Sequence, residues 1–293
     1  MTEHRAAAQI RAAAYHGTVL DFRRLLVALA GRESDAGLLR YAAMLHRLLS
    51  VEETVYLHVT ASDQPVGRLP EGAEVVQGDV LDSILAAAAH HNSDAILVGH
   101  ASGRRRRSLA RRLGMKAPCS VWMVPDQSPA TIQRILVPID FSRKSADTLA
   151  AATALAESAG LDECAALHVA FNSALVTFDE FDDILAEDRD RAWGLFVAPI
   201  NLHGVWVKPQ FVDSAHVAQT IIRTAVEQSS DLIVMGTRGR SSSAAVLLGS
   251  ETEQCMMTTP IPLLAVKHFG ARLSLLQALR DERFRKRGDD RFT

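Results

Sequence analysis

The chain has 293 residues and a formal net charge of −2, from 32 Lys+Arg against 34 Asp+Glu. Hydrophobic residues make up 48% and aromatics only 5%, which excludes a disordered or collagen-like polymer and requires a core of Ala, Leu, Val and Ile. Balanced charge gives no global electrostatic footprint for nucleic acid, and a prior of about 150 residues per domain suggests two domains.

Cys119, Cys164 and Cys255 lie far apart with no CxxC, a pattern of a reducing compartment rather than of a disulfide framework. Met1 to Gly17 is Ala-rich with Arg5 and Arg11 but has no apolar segment of a secretory signal. No apolar run approaches the ~20 residues that cross a bilayer. The expectation is a cytoplasmic protein without a membrane partner.

In chain order, residues 1–19 read as an N-terminal extension. From Arg24 the sequence begins a block that returns later. Arg24–Thr60 aligns over Arg134–Ala170 at a constant offset of 110, with 11 identities in 37 positions. Leu57-His58-Val59 falls over Leu167-His168-Val169. Ser83–Gly99 aligns with Thr220–Gly236 at an offset of 137, matching Asp94 with Asp231, and Ala117–Val121 faces Thr259–Leu263. The same order of similar blocks reads as two copies of one domain, over 20–127 and 128–268, followed by a helical tail over 269–293.

Within the first copy, Ala61–Ala73 reads as a bare loop, and His90-His91 close a helix beside Asn92. The segment Gly99–Ser120 is five residues shorter than Gly236–Pro262 and reads as a basic loop carrying Arg104–Arg107, Arg111, Arg112 and Lys116. Four consecutive Arg suit phosphates, nucleic acid or an acidic partner. With no aromatic interleaved there is no stacking platform for single strands, so nucleic acid is disfavoured. The seam between copies is Pro125-Asp126-Gln127-Ser128-Pro129.

In the second copy, strands are expected over Arg134–Ile139, Ala165–Ala170, Gly204–Val212, Asp231–Met235 and Leu263–Lys267, with amphipathic helices over Ser145–Ala159 and Val217–Glu227. Strands alternating with helices give βαβ units and a parallel sheet covered on both faces. The change of offset leaves about 27 extra residues in this copy, containing Phe178–Trp193, which reads as a solvated acidic amphipathic helix. Pairing between it and the Arg run is a further expectation.

The residues that carry chemistry follow the fourth strand. Gly236-Thr237-Arg238-Gly239 is followed by nine residues and then Gly249-Ser250. Glycines after a strand let backbone N–H groups approach a ligand. Ser250-x-x-Glu253 has the form of a capping box opening a helix over Glu251–Met257, and a helix N-terminus suits a phosphate. Asp140 follows Ile135-Leu136-Val137-Pro138-Ile139 at the carboxyl end of the first strand, where open parallel sheets bind ligands. There it can accept hydrogen bonds from a base or ribose, or cap the next helix with Ser142. His58 and His168 share one repeat position, which favours a packing or hydrogen-bonding role. The cysteines read as small apolar fillers.

Asp140, the strand Ala166-Leu167-His168-Val169 and Asp231-Leu232-Ile233-Val234-Met235-Gly236, followed by G-x2-G-x9-G-S/T, resemble the universal stress protein family over about residues 20–268 in tandem. The resemblance implies two Rossmann-like α/β domains with strand order 3-2-1-4-5 and pairing of fifth strands. It also implies adenine-nucleotide binding, ATP with or without Mg²⁺, in the second copy. The implied site comprises Asp140 near adenine or ribose after Pro138 and Ile139, and Val169 meeting the base through its backbone. Gly236, Gly239, Gly249 and Ser250 would hold phosphates, with Met235, Glu251 and Thr252 close by.

The first copy departs from this pattern. Ala30 replaces the acid, Gly99-His100-Ala101-Ser102-Gly103 has the wrong glycine spacing, and Ser108 survives opposite Ser250 but Arg107 replaces Gly249. It reads as a degenerate partner domain. The reading is a nucleotide-dependent regulatory protein with an unidentified protein partner, as a homodimer or an intrachain pseudo-dimer. Its rivals are an interaction scaffold with vestigial pockets and a slow ATPase. No catalytic residue or metal ligand is expected, because no side chain offers itself as a base for attacking water. Asp140-Phe141-Ser142-Arg143 also lacks the Ser-Gly-Gly-x-Asp loop of adenylating relatives.

Overall fold

The computed structural model describes residues 22–60, 69–100, 104–170, 179–237 and 248–267. The extension over 1–19 and the tail over 269–293 lie outside the described residues. In chain order the elements are β1 (Arg24–Leu29), α1 (Asp35–Leu48), β2 (Glu53–Thr60), β3 (Glu74–Gln77), α2 (Val80–His90), β4 (Ala95–His100), α3 (Arg104–Lys116) and β5 (Ser120–Pro125). There follow β6 (Ile135–Ile139), α4 (Arg143–Ser158), β7 (Glu163–Ala170), α5 (Asp179–Val197), β8 (Trp206–Asp213), α6 (Val217–Glu227), β9 (Leu232–Gly236), α7 (Ser250–Thr258) and β10 (Leu263–Val266).

All these strands form one sheet in the order β3-β2-β1-β4-β5-β10-β9-β6-β7-β8. Pairings within each half are parallel, and β5 meets β10 antiparallel. Each half therefore has the strand order 3-2-1-4-5, joined through its fifth strand. The registers repeat as well. Leu26 faces Val55 and Ile96, while Leu136 faces Ala165 and Ile233, displaced by the offsets of 110 and 137 seen in the sequence.

Alternation along the inner strands explains why they are apolar throughout. Leu25, Val27 and Val137 pack on one face with Tyr41, Leu45, Leu149 and Leu155 of α1 and α4. Leu26 and Leu136 pack on the other with Leu81 and Ile84 of α2, Leu113 of α3, Ile221 of α6 and Met256 of α7. Each such aliphatic side chain contributes about 1.5–3 kcal/mol when fully buried. Cys119, Cys164 and Cys255 are buried free thiols. Burial pushes each up to about 12, so they pack as neutral apolar fillers.

The same carboxylate opens the first strand of each half. Asp94 accepts the Arg24 N–H at 2.8 Å, and Asp231 accepts those of Gln133 and Arg134 at 2.9 Å each. At the centre, Trp122 of β5 lies opposite Leu264 of β10 and is fully buried, edge-on to Tyr41 and Phe22. Lys267 bridges the halves: its Nζ donates to the carbonyls of Met115 and Ala117 at the end of α3, and its N–H to Ser120 Oγ at 3.2 Å.

One expectation needs correction. The basic segment is a helix from Arg104, not a loop, because with Ser108 opposite Ser250 it starts one turn earlier than α7. Arg111 pairs with Glu253 of α7, since antiparallel β5–β10 pairing brings α3 beside α7; the expected pairing of the four-Arg run with the acidic helix falls on side chains outside those described. The expected acidic helix is present as α5, and its later turns are anchored. Trp193 and Phe196 pack against the core, while Leu195 stays 72% exposed.

Candidate functional site

The carboxyl edge of the second half is assembled from three neighbouring strands. β6 lies between β7 and β9, so Asp140, Val169 and Gly236 end adjacent strands at one edge. Pro138 is half-buried and Ile139 buried. Asp140 is half-buried, and its Oδ1 accepts the Ser142 N–H at 3.0 Å, while its own N–H donates to Ser145 Oγ at 3.4 Å. Ser142 is the N-cap of α4, accepting the Ser145 N–H at 3.2 Å. The acid is thus oriented by a turn, and the cap belongs to the serine.

Phe141 between them has φ +58°, a left-handed conformation that a bulky side chain adopts only under constraint. The constraint is visible. Its ring lies 4.6 Å from that of His168, 5.2 Å from Phe196 and 6.3 Å from Phe211. Arg189 of α5 reaches the end of β8, bonding Asp213 at 2.7 Å over the Phe211 ring. The helix that distinguishes the second half therefore flanks the half-buried Val169, which pairs with Val212.

On the other side of Asp140, the end of β9 is tied to the start of α7. Thr252 Oγ1 donates to the Gly236 carbonyl at 2.8 Å, and the Gly249 N–H donates to the Thr237 carbonyl at 2.9 Å. Met235 and Thr252 are buried, and Gly236 and Gly249 half-buried. Gly239 lies outside the described residues. The expected Ser250–Glu253 capping box is not formed. Gly249 is the N-cap with extended φ −63° and ψ 140°, its carbonyl accepts the Glu253 N–H at 2.8 Å, and exposed Ser250 is the first helical residue. That shift releases Glu253 for Arg111.

Glu251 is similarly committed. Its Oε2 accepts the Ala218 N–H at 2.9 Å, capping α6. Both carboxylates in the first turn of α7 are therefore compensated, and the backbone N–H groups ahead of Glu253 have no acceptor within the helix. The arrangement suits an anion held by Gly-flanked backbone beside a carboxylate on the adjacent strand.

The first half lacks both parts. Asp35, at the repeat position of Ser145, turns back and accepts the N–H groups of Ala30, Gly31 and Arg32 at 3.1, 2.7 and 3.1 Å. The donors beyond β1 are consumed internally. A separate cleft of about 180 Å³ beside Asp126, Ser230 and Pro260 lies at the amino ends of β9 and β10, away from this edge. Among the described residues there is no group of three or more metal-ligating side chains, and no helix is long and apolar enough to cross a membrane.

Residues 131–267 match the model of the universal stress protein family. A universal stress protein from Thermus aquaticus is 30% identical over 87 residues, or 30% of this chain. Residues 131–267 belong to the universal stress protein family. This chain spans 64% of the length of that Thermus universal stress protein. Among solved structures, a functionally unknown protein from Pseudomonas aeruginosa PAO1 superposes with a TM-score of 0.65 at 16% identity, covering 92% of this chain and 98% of its own. A universal stress protein from Archaeoglobus fulgidus gives 0.59 at 18% identity, covering 87% and 99%. At such identities the likeness is one of fold, and it extends over both halves of the sheet.

Sequence reasoning missed Asp35, Phe141, Arg189 and Arg111. Only the aromatic between Asp140 and Ser142 carried a local signal. The others act through partners 3 to 142 residues away.

Proposed function

We propose that the chain is a nucleotide-dependent regulator that binds one adenine nucleotide, ATP, at the carboxyl edge of its second half. The units would be 20–127 and 128–268, the first serving as a degenerate partner. The observation that carries the reading is the tie between Gly236 and Thr252. It sets the start of α7 beside the end of β9, so Gly236, Gly249, Ser250 and the α7 N–H groups can surround phosphates. Asp140 and the Val169 backbone would take the ribose and base, and Gly239 would join the phosphate contacts. Mg²⁺ enters only as a counter-ion carried by the phosphates.

Binding regulates only if the nucleotide prefers one of two states. The test is mass spectrometry of nucleotide released on denaturing freshly purified protein, with thermal shifts on adding ATP and Mg²⁺. About one adenine nucleotide per chain supports the reading, as does a rise equivalent to about 2.7 kcal/mol at a hundredfold excess over Kd. Asp140→Ala and Gly249→Val should abolish both signals. No nucleotide and no shift in the parent protein would overturn it in favour of an interaction scaffold.

A further inference from the structure

The halves meet about an approximate two-fold axis, and the residues on it are repeat equivalents. Trp122 lies opposite Leu264. An ideal Cβ on Gly114 would lie 3.0 Å from Met256 Sδ, and Arg111 Nε bonds Glu253 Oε1. All three pairs share the offset of 142 that aligns Ala117 with Thr259. At such an axis each position meets its own counterpart. A symmetric pair of second halves would set Glu253 against Glu253 beside the start of α7. The chain instead sets an arginine there.

We infer that Arg111, supplied by the first half, is a positioning residue for the anion site at the start of α7 in the second. This rests on the nucleotide reading above. The first turn of α7 carries Glu251 and Glu253, which suit the helix dipole but repel an anion arriving at the same end. Glu251 is drawn off by the α6 backbone, and Glu253 by the guanidinium. The pair is half-buried, with side chains 43% and 33% exposed, so its field is only partly screened. α3 lies against α7 at Gly114 and Met256, and Lys267 after β10 holds its C-terminal end, which keeps Arg111 beside Glu253. The half that carries Ala30 in place of the acid and Arg107 in place of Gly249 thus supplies the counter-charge that keeps the other site receptive.

The experiment is isothermal titration of the full chain with ATP at about 50 mM and about 500 mM salt. It compares the parent protein with Arg111→Met, Arg111→Lys, Glu253→Gln and the Arg111→Met/Glu253→Gln double variant. Arg111→Met should weaken binding roughly tenfold at low salt, and the loss should shrink at high salt. Glu253→Gln should tighten binding, the double variant should return to within about threefold of the parent, and Arg111→Lys should stay within the same range. A structural contact alone predicts neither the rescue nor the salt dependence. The inference is overturned if Arg111→Met binds like the parent, or binds weakly without rescue by Glu253→Gln. A parent protein that binds no ATP defeats the nucleotide reading itself, which is seen before any variant is made. If Arg111→Met does not fold, Arg111→Lys and Glu253→Gln decide: a loss beyond about threefold in the first, or any loss in the second, overturns the inference.

Discussion

Nδ1 of His168 lies 3.0 Å from the carbonyl oxygen of Ile139, and 110 residues earlier Nδ1 of His58 lies 3.1 Å from that of Leu29. A carbonyl only accepts, so Nδ1 carries the proton in both. Each imidazole closes the carboxyl end of a first strand by bonding across to it from the second. The bond occurs in the half with the glycine motif and in the half without it, so it belongs to the fold rather than to ligand chemistry.

His58 is 7% exposed and His168 half-buried. His58→Ala should therefore cost about 2–3 kcal/mol and His168→Ala about 1–2 kcal/mol. The strands concerned lie far apart in the sheet, so the double variant should lose the sum within about 0.5 kcal/mol. Urea denaturation measures all three. An unchanged midpoint in either single variant would show that its hydrogen bond contributes nothing.

Phe141 combines strain with packing, and two substitutions separate them. Phe141→Ala loses the contacts to His168 and Phe196 and still has a Cβ at φ +58°. Phe141→Gly loses the same contacts but adopts that backbone freely. Glycine should therefore be the more stable replacement by about 1 kcal/mol, reversing its usual rank below alanine. Thermal melts of the two variants decide it, and alanine coming out ahead would mean the turn relaxes once the ring is gone.

The sheet was legible because its signals are local or repeated. Strand runs such as Leu232–Gly236 are short and wholly apolar, and the helix over Val217–Glu227 keeps a clean 3.6-residue period. The offsets of 110 and 137 carried the register, which the paired Leu26 and Leu136 reproduce. The half-to-half contacts were not legible. Arg111 reads as one more charge in a basic run until β5 and β10 pair and set α3 against α7. The capping box misled because Ser-x-x-Glu scores the same whether serine or the preceding glycine is the N-cap. Only the extended backbone of Gly249 distinguishes them.

The buried thiols set an alkaline limit. Cys119, Cys164 and Cys255 are raised by burial from 9.0 to about 12. Between those values the unfolded chain loses protons that the folded chain keeps, so stability falls as pH rises from about 9 towards 12. Below pH 8 these groups change nothing. Tyr41, also raised by burial, acts in the same direction at still higher pH. The melting temperature should drop between pH 9 and 11, and a thiol reagent at pH 8 should react only after urea is added. A flat melting temperature across that range would contradict the account.

The contact between α3 and α7 should respond to size rather than to chemistry. A Cβ on Gly114 would lie 3.0 and 3.1 Å from the Met256 Sδ and Cε and 3.2 Å from Leu248 Cδ2. The methionine atoms end a flexible chain and can yield. Gly114→Ala should therefore be near neutral, its packing cost offset by up to about 1 kcal/mol of helix propensity. Gly114→Leu cannot be accommodated by a methionine shift and should destabilise by about 1–3 kcal/mol. Trimming the partner makes room, so Met256→Ala, destabilising alone by about 2–5 kcal/mol, should cost less on the Gly114→Leu background than on the parent. Lys267→Met tests the other tie. It removes the ammonium from the Met115 and Ala117 carbonyls and should cost about 1 kcal/mol at the α3 C-terminus. Denaturation midpoints of the Gly114–Met256 cycle give the coupling, and strict additivity would mean the helices separate too easily for this contact to hold the halves together.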